Sequence, residues 1–180
     1  MPKVKDIFNF DNPIYAPLRN PSREVIKAYQ DANRYFDTTQ EYVYIEQGMK
    51  YLSKILHEQA HEFPKRFDSF IDMLHERHLM GEYPSTEELN WKEELKELDD
   101  VFDIVIRVFD NIQESLEKFH EVTDNANFRP MALYTEELMA QNSKDYTKFL
   151  ELAFRWQNDG GSKTSFDSWC KKLLDEGEDD

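Results

Sequence analysis

The stretch LHEQAHEFPKRFDSFIDMLHERH, residues 56–78, decides the fold. Its apolar residues recur at three- and four-residue intervals, which is typical of one face of an amphipathic helix. They are Leu56, Ala60, Phe63, Phe67, Phe70, Ile71 and Leu74. A polar strip runs beside them and spans roughly 60° at about 100° per residue. Its members are His57, His61, Asp68, Asp72 and His75. The stretch therefore predicts a helix that buries one face and carries titratable groups along the border of that face.

The rest of the chain repeats this helical spacing. The sequence has 180 residues, is 39% apolar and contains only five Gly and seven Pro, so long helices around a sizeable core are expected. Apolar stripes predict helices over residues 21–36, 41–80, 95–119 and 131–156, and a short final helix over SFDSWCKKLL, residues 165–174. We therefore predict an all-α, four-helix bundle with a long crossover between helices 2 and 3 and a short C-terminal fifth helix.

Local signals divide the chain further. We expect an N-terminal arm at 1–20, the bundle at 21–160, and the C-terminal helix with an acidic tail at 161–180. Asn20 before Pro21 predicts the first N-cap, and DTTQ (37–40) predicts an interruption. Pro64 predicts a kink or a new first turn. In the crossover, Ser85 and Glu88 have the spacing of a capping box.

Charge and cysteine content limit the partners. The net charge is −15 at a sequence pI near 4.7, so repulsion from phosphates makes DNA binding improbable and disfavours anionic membranes. Such a surface suits cations, basic partners and soluble oligomers. The single Cys170 excludes an internal disulfide framework. With no signal-peptide pattern and no run of about 18 apolar residues, we expect a cytoplasmic protein without a membrane span.

The polar strip predicts a metal site shared between copies. Asp72 and Glu76, spaced i and i+4, can chelate one divalent ion, and His57 and His61 have the same spacing. Within one helix the two pairs lie roughly 22 Å apart, whereas metal–ligand bonds are about 2 Å. An antiparallel crossing of two copies would bring His57 of one beside Asp72 and Glu76 of the other, twice by symmetry. The alternative is an ordinary solvated face, because so charged a chain produces such spacings by chance.

A second arrangement competes with the first. Glu58-x-x-His61 and Glu117-x-x-His120 match the Glu-x-x-His pattern of di-iron bundles, with Glu46 and Glu137 for the remaining helices. Such an intrachain oxidase site needs all four groups at one level. Parallel second and third helices would place the two motifs near opposite ends, and antiparallel ones would allow them to come level.

Residues 56–84 resemble the second helix of ferritin-like proteins, most closely the DNA-protection-during-starvation (Dps) branch. The resemblance rests on three short motifs: Leu56-His57-Glu58, then Ile71-Asp72-Met73-Leu74-His75-Glu76-Arg77, then Gly81-Glu82-Tyr83-Pro84. It implies a homo-oligomeric shell, commonly of twelve subunits, with iron oxidised between two-fold-related subunits. By position, His57 is the histidine ligand from one subunit, and Asp72 and Glu76 are the carboxylates from the other.

The resemblance also has departures. The family's other histidine would fall in EYVYIEQG, where Val43 stands and cannot bind metal. Either His61 substitutes from the next turn or the site is degenerate. Aligned with ferritins that hold iron inside the bundle, this chain has Phe63 and Arg66 at Glu and His positions, so an in-bundle site is not expected.

Two functional hypotheses follow from these observations. The first is a Dps-like iron-binding protein with ferroxidase, iron-storage and oxidative-stress roles, whose ligands are His57, His61, Asp72 and Glu76. The second is a bundle with a degenerate metal site that serves as a structural or protein-interaction module. Val43, the aromatic N-terminal arm and the additional C-terminal helix favour the second.

Overall fold

The computed structural model describes residues 10–86 and 89–177, and this part of the chain contains helices and no strand. A 3₁₀ turn, Ala16–Leu18, precedes six α-helices. Their bounds are α1 Arg19–Ile45, α2 Lys50–Glu76, α3 Trp91–Glu94, α4 Leu98–Asn125, α5 Arg129–Asn158 and α6 Lys163–Gly177. None of the helices in these two ranges is long and apolar enough to cross a membrane.

The long helices form a bundle in which α2 and α4 run parallel. Asn33 on α1 donates a hydrogen bond to the carbonyl of Ala60 on α2 at 3.2 Å. Gln40, further along α1, contacts Ser53, which is earlier on α2, so the two helices are antiparallel. Lys118 on α4 reaches Glu24 on α1 at 3.2 Å, and Phe109 meets Phe36 further along α1, so α4 is also antiparallel to α1. Residues 77–97 must therefore cross from one end of the bundle to the other. The predicted bundle with its crossover is confirmed.

The break expected at residues 37–40 is wrong, because α1 continues to Ile45. Thr39 is fully buried and its hydroxyl donates to the carbonyl of Phe36 at 3.0 Å, which satisfies the polar group without leaving the helix. The turn comes later, at Gly48 with φ of +68°. The second helix consequently begins at Lys50 rather than at residue 41.

The start of α1 also differs from the prediction. Leu18 rather than Asn20 is its N-cap residue and provides no side-chain hydrogen bond, because the 3₁₀ turn leads directly into the helix. The expected arm lies partly outside the described residues. Within its described part, Tyr15 stacks on Phe128 with ring centroids 5.4 Å apart, and Phe10 is buried.

Helix α2 passes through Pro64 without ending. A proline has no N–H, so the carbonyl four residues earlier, that of Ala60, loses its partner within the helix. The side chain of Asn33 supplies the missing donor to that carbonyl. A contact from α1 therefore allows the helix that carries the polar strip to remain continuous.

The crossover, residues 77–97, is fixed to the bundle by an ion pair with α1 and by close packing of its backbone against α2. Glu82 accepts a hydrogen bond from Arg19 at 2.8 Å, and this bond lowers the pKa of the carboxyl group. A Cβ on Gly81 would lie 2.7 Å from Ile71 Cδ1, so glycine permits the chain to lie against α2. The capping box that the structure contains is formed by Glu97 and Asp100 at the start of α4. The predicted one involves Glu88, which lies outside the described residues.

The C-terminal helix α6 caps α2. Met49 gives α2 no side-chain cap; instead Asp167 on α6 accepts hydrogen bonds from the backbone N–H groups of Tyr51 and Leu52 at 2.9 and 3.0 Å. A carboxylate at a helix N-terminus satisfies otherwise unpaired donors and interacts favourably with the helix dipole.

Asp167→Ala is expected to lower the free energy of unfolding by about 1 kcal/mol, because two N–H donors of α2 lose their acceptor. Urea denaturation followed by circular dichroism measures the change. Asp175→Ala, an exposed acid on the same helix, is the matched control and should change stability by less than about 0.5 kcal/mol. Equal effects of the two substitutions would contradict the capping role.

Candidate metal centre

His57 and His61 form a convergent pair on the exposed face of α2. Their Nε2 atoms are 3.0 Å apart, and their ring centroids are 4.4 Å apart. Two nitrogens bound at a right angle to one ion, each at about 2.1 Å, would be separated by about 3.0 Å. The i, i+4 spacing therefore places both imidazoles where a single divalent ion can bind them. Without an ion, the same two atoms can share a hydrogen bond.

Asp72 and Glu76 lie on the same helix, close to its C-terminal end, and both are exposed. They line a surface cavity of about 320 Å³ together with Ser69, Arg77 and Tyr134. The structure does not bring this carboxylate pair to the histidine pair within one copy. In the described ranges 10–86 and 89–177, no three His, Cys, Asp or Glu side chains are grouped so that they could hold a metal ion.

The competing Glu-x-x-His motifs are not assembled. The rings of Phe63 and Phe109 lie 6.0 Å apart and mark one level of the parallel helices α2 and α4. Glu58 precedes that level by five residues and Glu117 follows it by eight, a separation of roughly 20 Å along the bundle. His120 instead contacts Glu136 at 3.0 Å. Glu46 and Glu137 are exposed and do not point into the bundle core.

Aromatic rings fill the centre of the bundle. Phe63 packs edge-on against Phe36 with centroids 4.9 Å apart. Phe36 also contacts Phe109 at 5.7 Å and Phe149 at 5.5 Å, so each of the four long helices contributes one ring. All four side chains are fully buried. Phe63, one of the two positions expected to have lost a ligand, therefore belongs to an apolar cluster. Val43 is likewise fully buried in the core.

A largely buried ion pair lies beside this cluster. Arg66 donates to Asp145 on α5, and Gln59 donates to the same carboxylate oxygen at 2.8 Å. The side chains of Arg66 and Asp145 are only 11% and 16% exposed. The sequence pattern does not predict this pair. Its one signal is that Arg66 lies three residues after Phe63 and four before Phe70, within the apolar stripe.

Burial raises the pKa of two side chains in the core. The Tyr29 hydroxyl is buried with no hydrogen-bond partner among the described residues, and burial raises its pKa. Burial, followed by the charge of Asp167, raises the pKa of the Cys170 thiol to about 12. The neutral thiol is the unreactive form, which agrees with a packing role for Cys170.

We expect the free energy of unfolding to fall as pH rises above about 9, because the unfolded chain releases these protons at ordinary pKa values while the folded chain keeps them. Tyr29→Phe should leave stability at pH 7 unchanged or slightly higher and make the alkaline decline shallower. Urea denaturation between pH 7 and 11 measures both effects. Tyr44→Phe, at a residue that is 56% exposed, is the control and should leave the decline unaltered.

Comparison with solved structures identifies the fold, whereas comparison of sequences finds no match. No family model and no curated protein sequence matches the chain. Among solved structures, apo-ferritin from Pseudo-nitzschia multiseries superposes with a TM-score of 0.79 at 12% identity, covering 85% of this chain and 98% of that one. This chain has the ferritin fold. A PmFTN variant soaked in iron for 45 min gives a TM-score of 0.78 at 12% identity, covering 84% and 96%. Another PmFTN variant, soaked for 5 min, gives 0.78 at 11% identity, covering 84% and 98%.

The ferritin fold fixes the helix layout, and the chemistry depends on this chain's own side chains. At this level of identity the metal ligands cannot be transferred by position. The candidate ligands are the exposed pairs on α2, because the bundle centre holds Phe63 and the Arg66–Asp145 ion pair.

Proposed function

We propose that this ferritin-like chain binds iron between two antiparallel copies and oxidises it there. His57 and His61 of one copy and Asp72 and Glu76 of the other are the ligands. The observation that carries the proposal is the convergent histidine pair, exposed on the same helix face as the carboxylates. Imidazole and carboxylate ligands together suit iron, manganese and zinc. Ferritins soaked in iron among the structural neighbours support iron as the choice.

Charge complementarity supports the antiparallel register. A crossing centred between Arg66 and Phe67 sets His61 of one copy level with Asp72 of the second copy, and His57 level with Glu76. The same register places Lys65 opposite Asp68. These side chains are exposed in the single copy, where Lys65 pairs with Glu62 on its own helix. Two-fold symmetry then produces two equivalent sites.

The reaction that we propose is ferrous oxidation. With hydrogen peroxide as oxidant, it balances as 2 Fe²⁺ + H₂O₂ + 2 H⁺ → 2 Fe³⁺ + 2 H₂O, each ion losing one electron. Carboxylates such as Asp72 and Glu76 stabilise the additional positive charge of the ferric product. The net charge of −15 raises the local concentration of cations around the particle. A larger closed shell of up to twelve subunits, as in the Dps branch, belongs to the same proposal, and the native mass tests it.

Anaerobic calorimetry with Fe²⁺ tests the proposal. His57→Ala and Asp72→Ala should each weaken binding by at least about 10–100-fold, because losing a ligand costs no less than losing a residue that orients one. His120→Ala, which alters a histidine of the competing motif, should leave binding unchanged. Undiminished iron binding by both ligand variants would exclude the proposed site. A native protein that binds no iron would instead support a structural or interaction module.

A further inference from the structure

A narrow slot lies between the C-terminal half of α1 and the short helix α3. Its volume is about 190 Å³. Thr38, Glu41, Tyr42, Ile45, Glu46 and Trp91 line it. Ile45 is 70% exposed and Trp91 is 41% exposed, so two large apolar side chains border the opening. Pockets for small molecules usually measure roughly 300–1,000 Å³, so this slot suits an inserted side chain better than a free ligand.

Carboxylates outnumber cations around the slot, where the Lys92 ammonium lies 5.7 Å from the centroid of the Trp91 ring. Glu41 and Glu46 line it, and neither forms an ion pair with another described residue. Burial raises the pKa of Tyr42, and the charges of Asp100, Glu46 and Glu97 add to that effect. Several carboxylates are therefore close to one apolar opening. A segment that combines apolar side chains with lysines would complement both properties.

We propose that residues 1–9 of a second copy of the chain occupy this slot. This segment, MPKVKDIFN, has Lys3 and Lys5 on either side of Val4, followed by Ile7 and Phe8. With two lysines and one aspartate it is basic within a chain whose net charge is −15. Its lysines meet Glu41 and Glu46, and one of its apolar side chains inserts between Ile45 and Trp91.

The length of the N-terminal segment shows whether the slot can be filled by the chain's own residues 1–9 or only by those of a neighbouring copy. Asp11 contacts Arg19 at 3.2 Å, so the described chain starts beside the first turn of α1. Tyr42 lies 23 residues further along that helix, roughly 35 Å away. Five extended residues back from Phe10 span at most roughly 17 Å, so Lys5 cannot reach its own slot.

The antiparallel pair removes this obstacle. In that pair the first turn of α1 in one copy comes level with about residue 34 of α1 in the other. Tyr42 lies eight residues further along that helix, roughly 12 Å away, a distance that five extended residues can span. The inference therefore rests on the copy orientation in the proposed function, and it adds a contact that the iron site does not need.

A charge exchange tests the contact. Lys3→Glu/Lys5→Glu in one chain, or Glu41→Lys/Glu46→Lys in another, should each weaken self-association about tenfold by sedimentation equilibrium. Mixing the two variants one to one should restore native association, since each reversed arm then meets the reversed slot of its partner. Glu121→Lys/Glu137→Lys, with the same charge change at two exposed sites elsewhere, should leave association within about twofold of native.

Two results would overturn the inference: native association of the arm variant, or a mixture that stays as weak as its components. The second result would mean that the arm binds its own chain or nothing. Iron titration of the same variants at saturating protein concentration separates this outcome from the proposed function. Unaltered iron binding with no arm effect removes only the arm contact. Loss of iron binding in His57→Ala remains the independent test of the metal site.

Discussion

Asp145→Ala is expected to lower the free energy of unfolding by about 3–5 kcal/mol. The substitution removes the partner of Arg66, whose side chain is only 11% exposed, and leaves a guanidinium charge uncompensated inside the bundle. It also removes the acceptor of Gln59, which is 5% exposed. Arg66 Nη1 already lacks a hydrogen-bond partner among the described residues, so the guanidinium has little alternative pairing. Urea denaturation at pH 7 measures the loss.

The double substitution Arg66→Met/Asp145→Leu separates charge from packing. Replacing both partners of a buried ion pair by apolar groups of similar size is often neutral or stabilising, so the double variant should be far more stable than Asp145→Ala. Glu151→Ala, at an exposed acid on the same helix, should change stability by no more than about 0.5 kcal/mol. A double variant as unstable as Asp145→Ala would show that the loss arises from packing.

Mixing two inactive variants is expected to restore iron binding. A chain with His57→Ala/His61→Ala lacks the imidazoles, and a chain with Asp72→Asn/Glu76→Gln lacks the carboxylates, so neither forms the proposed site with itself. In a mixed pair one of the two equivalent sites has all four native ligands. Random one-to-one pairing makes half of the pairs mixed and therefore restores about a quarter of the native sites.

Anaerobic calorimetry gives the stoichiometry that this prediction needs. Binding by either variant alone, at native stoichiometry, would mean that the altered residues are not ligands. A mixture that binds no iron, although each variant retains its helicity and its association, would place the ligands within one copy. Exchange of subunits must be complete before the titration, and a shift in native mass of a tagged chain reports it.

Helix α2 illustrates how much of the fold a local pattern predicts. Its apolar stripe is visible in residues 56–78, and the structure buries Leu56, Phe63 and Phe70 as expected. The behaviour of Pro64 was not predictable from the same stretch, because the donor that pairs the freed carbonyl comes from Asn33, on another helix. The start of α2 was misplaced because Thr39 satisfies its own hydroxyl inside α1.

Part of the candidate site and its surroundings is likewise predictable from local sequence, and part is not. The convergence of His57 and His61 follows from i, i+4 spacing and was predictable. The Arg66–Asp145 pair was not, because its partners are 79 positions apart and only the bundle brings them together. A charged residue within an apolar stripe indicates that some buried partner exists, and the sequence does not say which.

The cap that α6 provides has a consequence for biosynthesis. The acceptor for the first N–H groups of the histidine-bearing helix is 116 positions downstream of Tyr51. During translation that helix emerges from the ribosome long before Asp167 does, and its first turn must fray until then. A shortened chain that ends before residue 167 should therefore be digested by proteases near residues 50–52, where the 180-residue chain should resist.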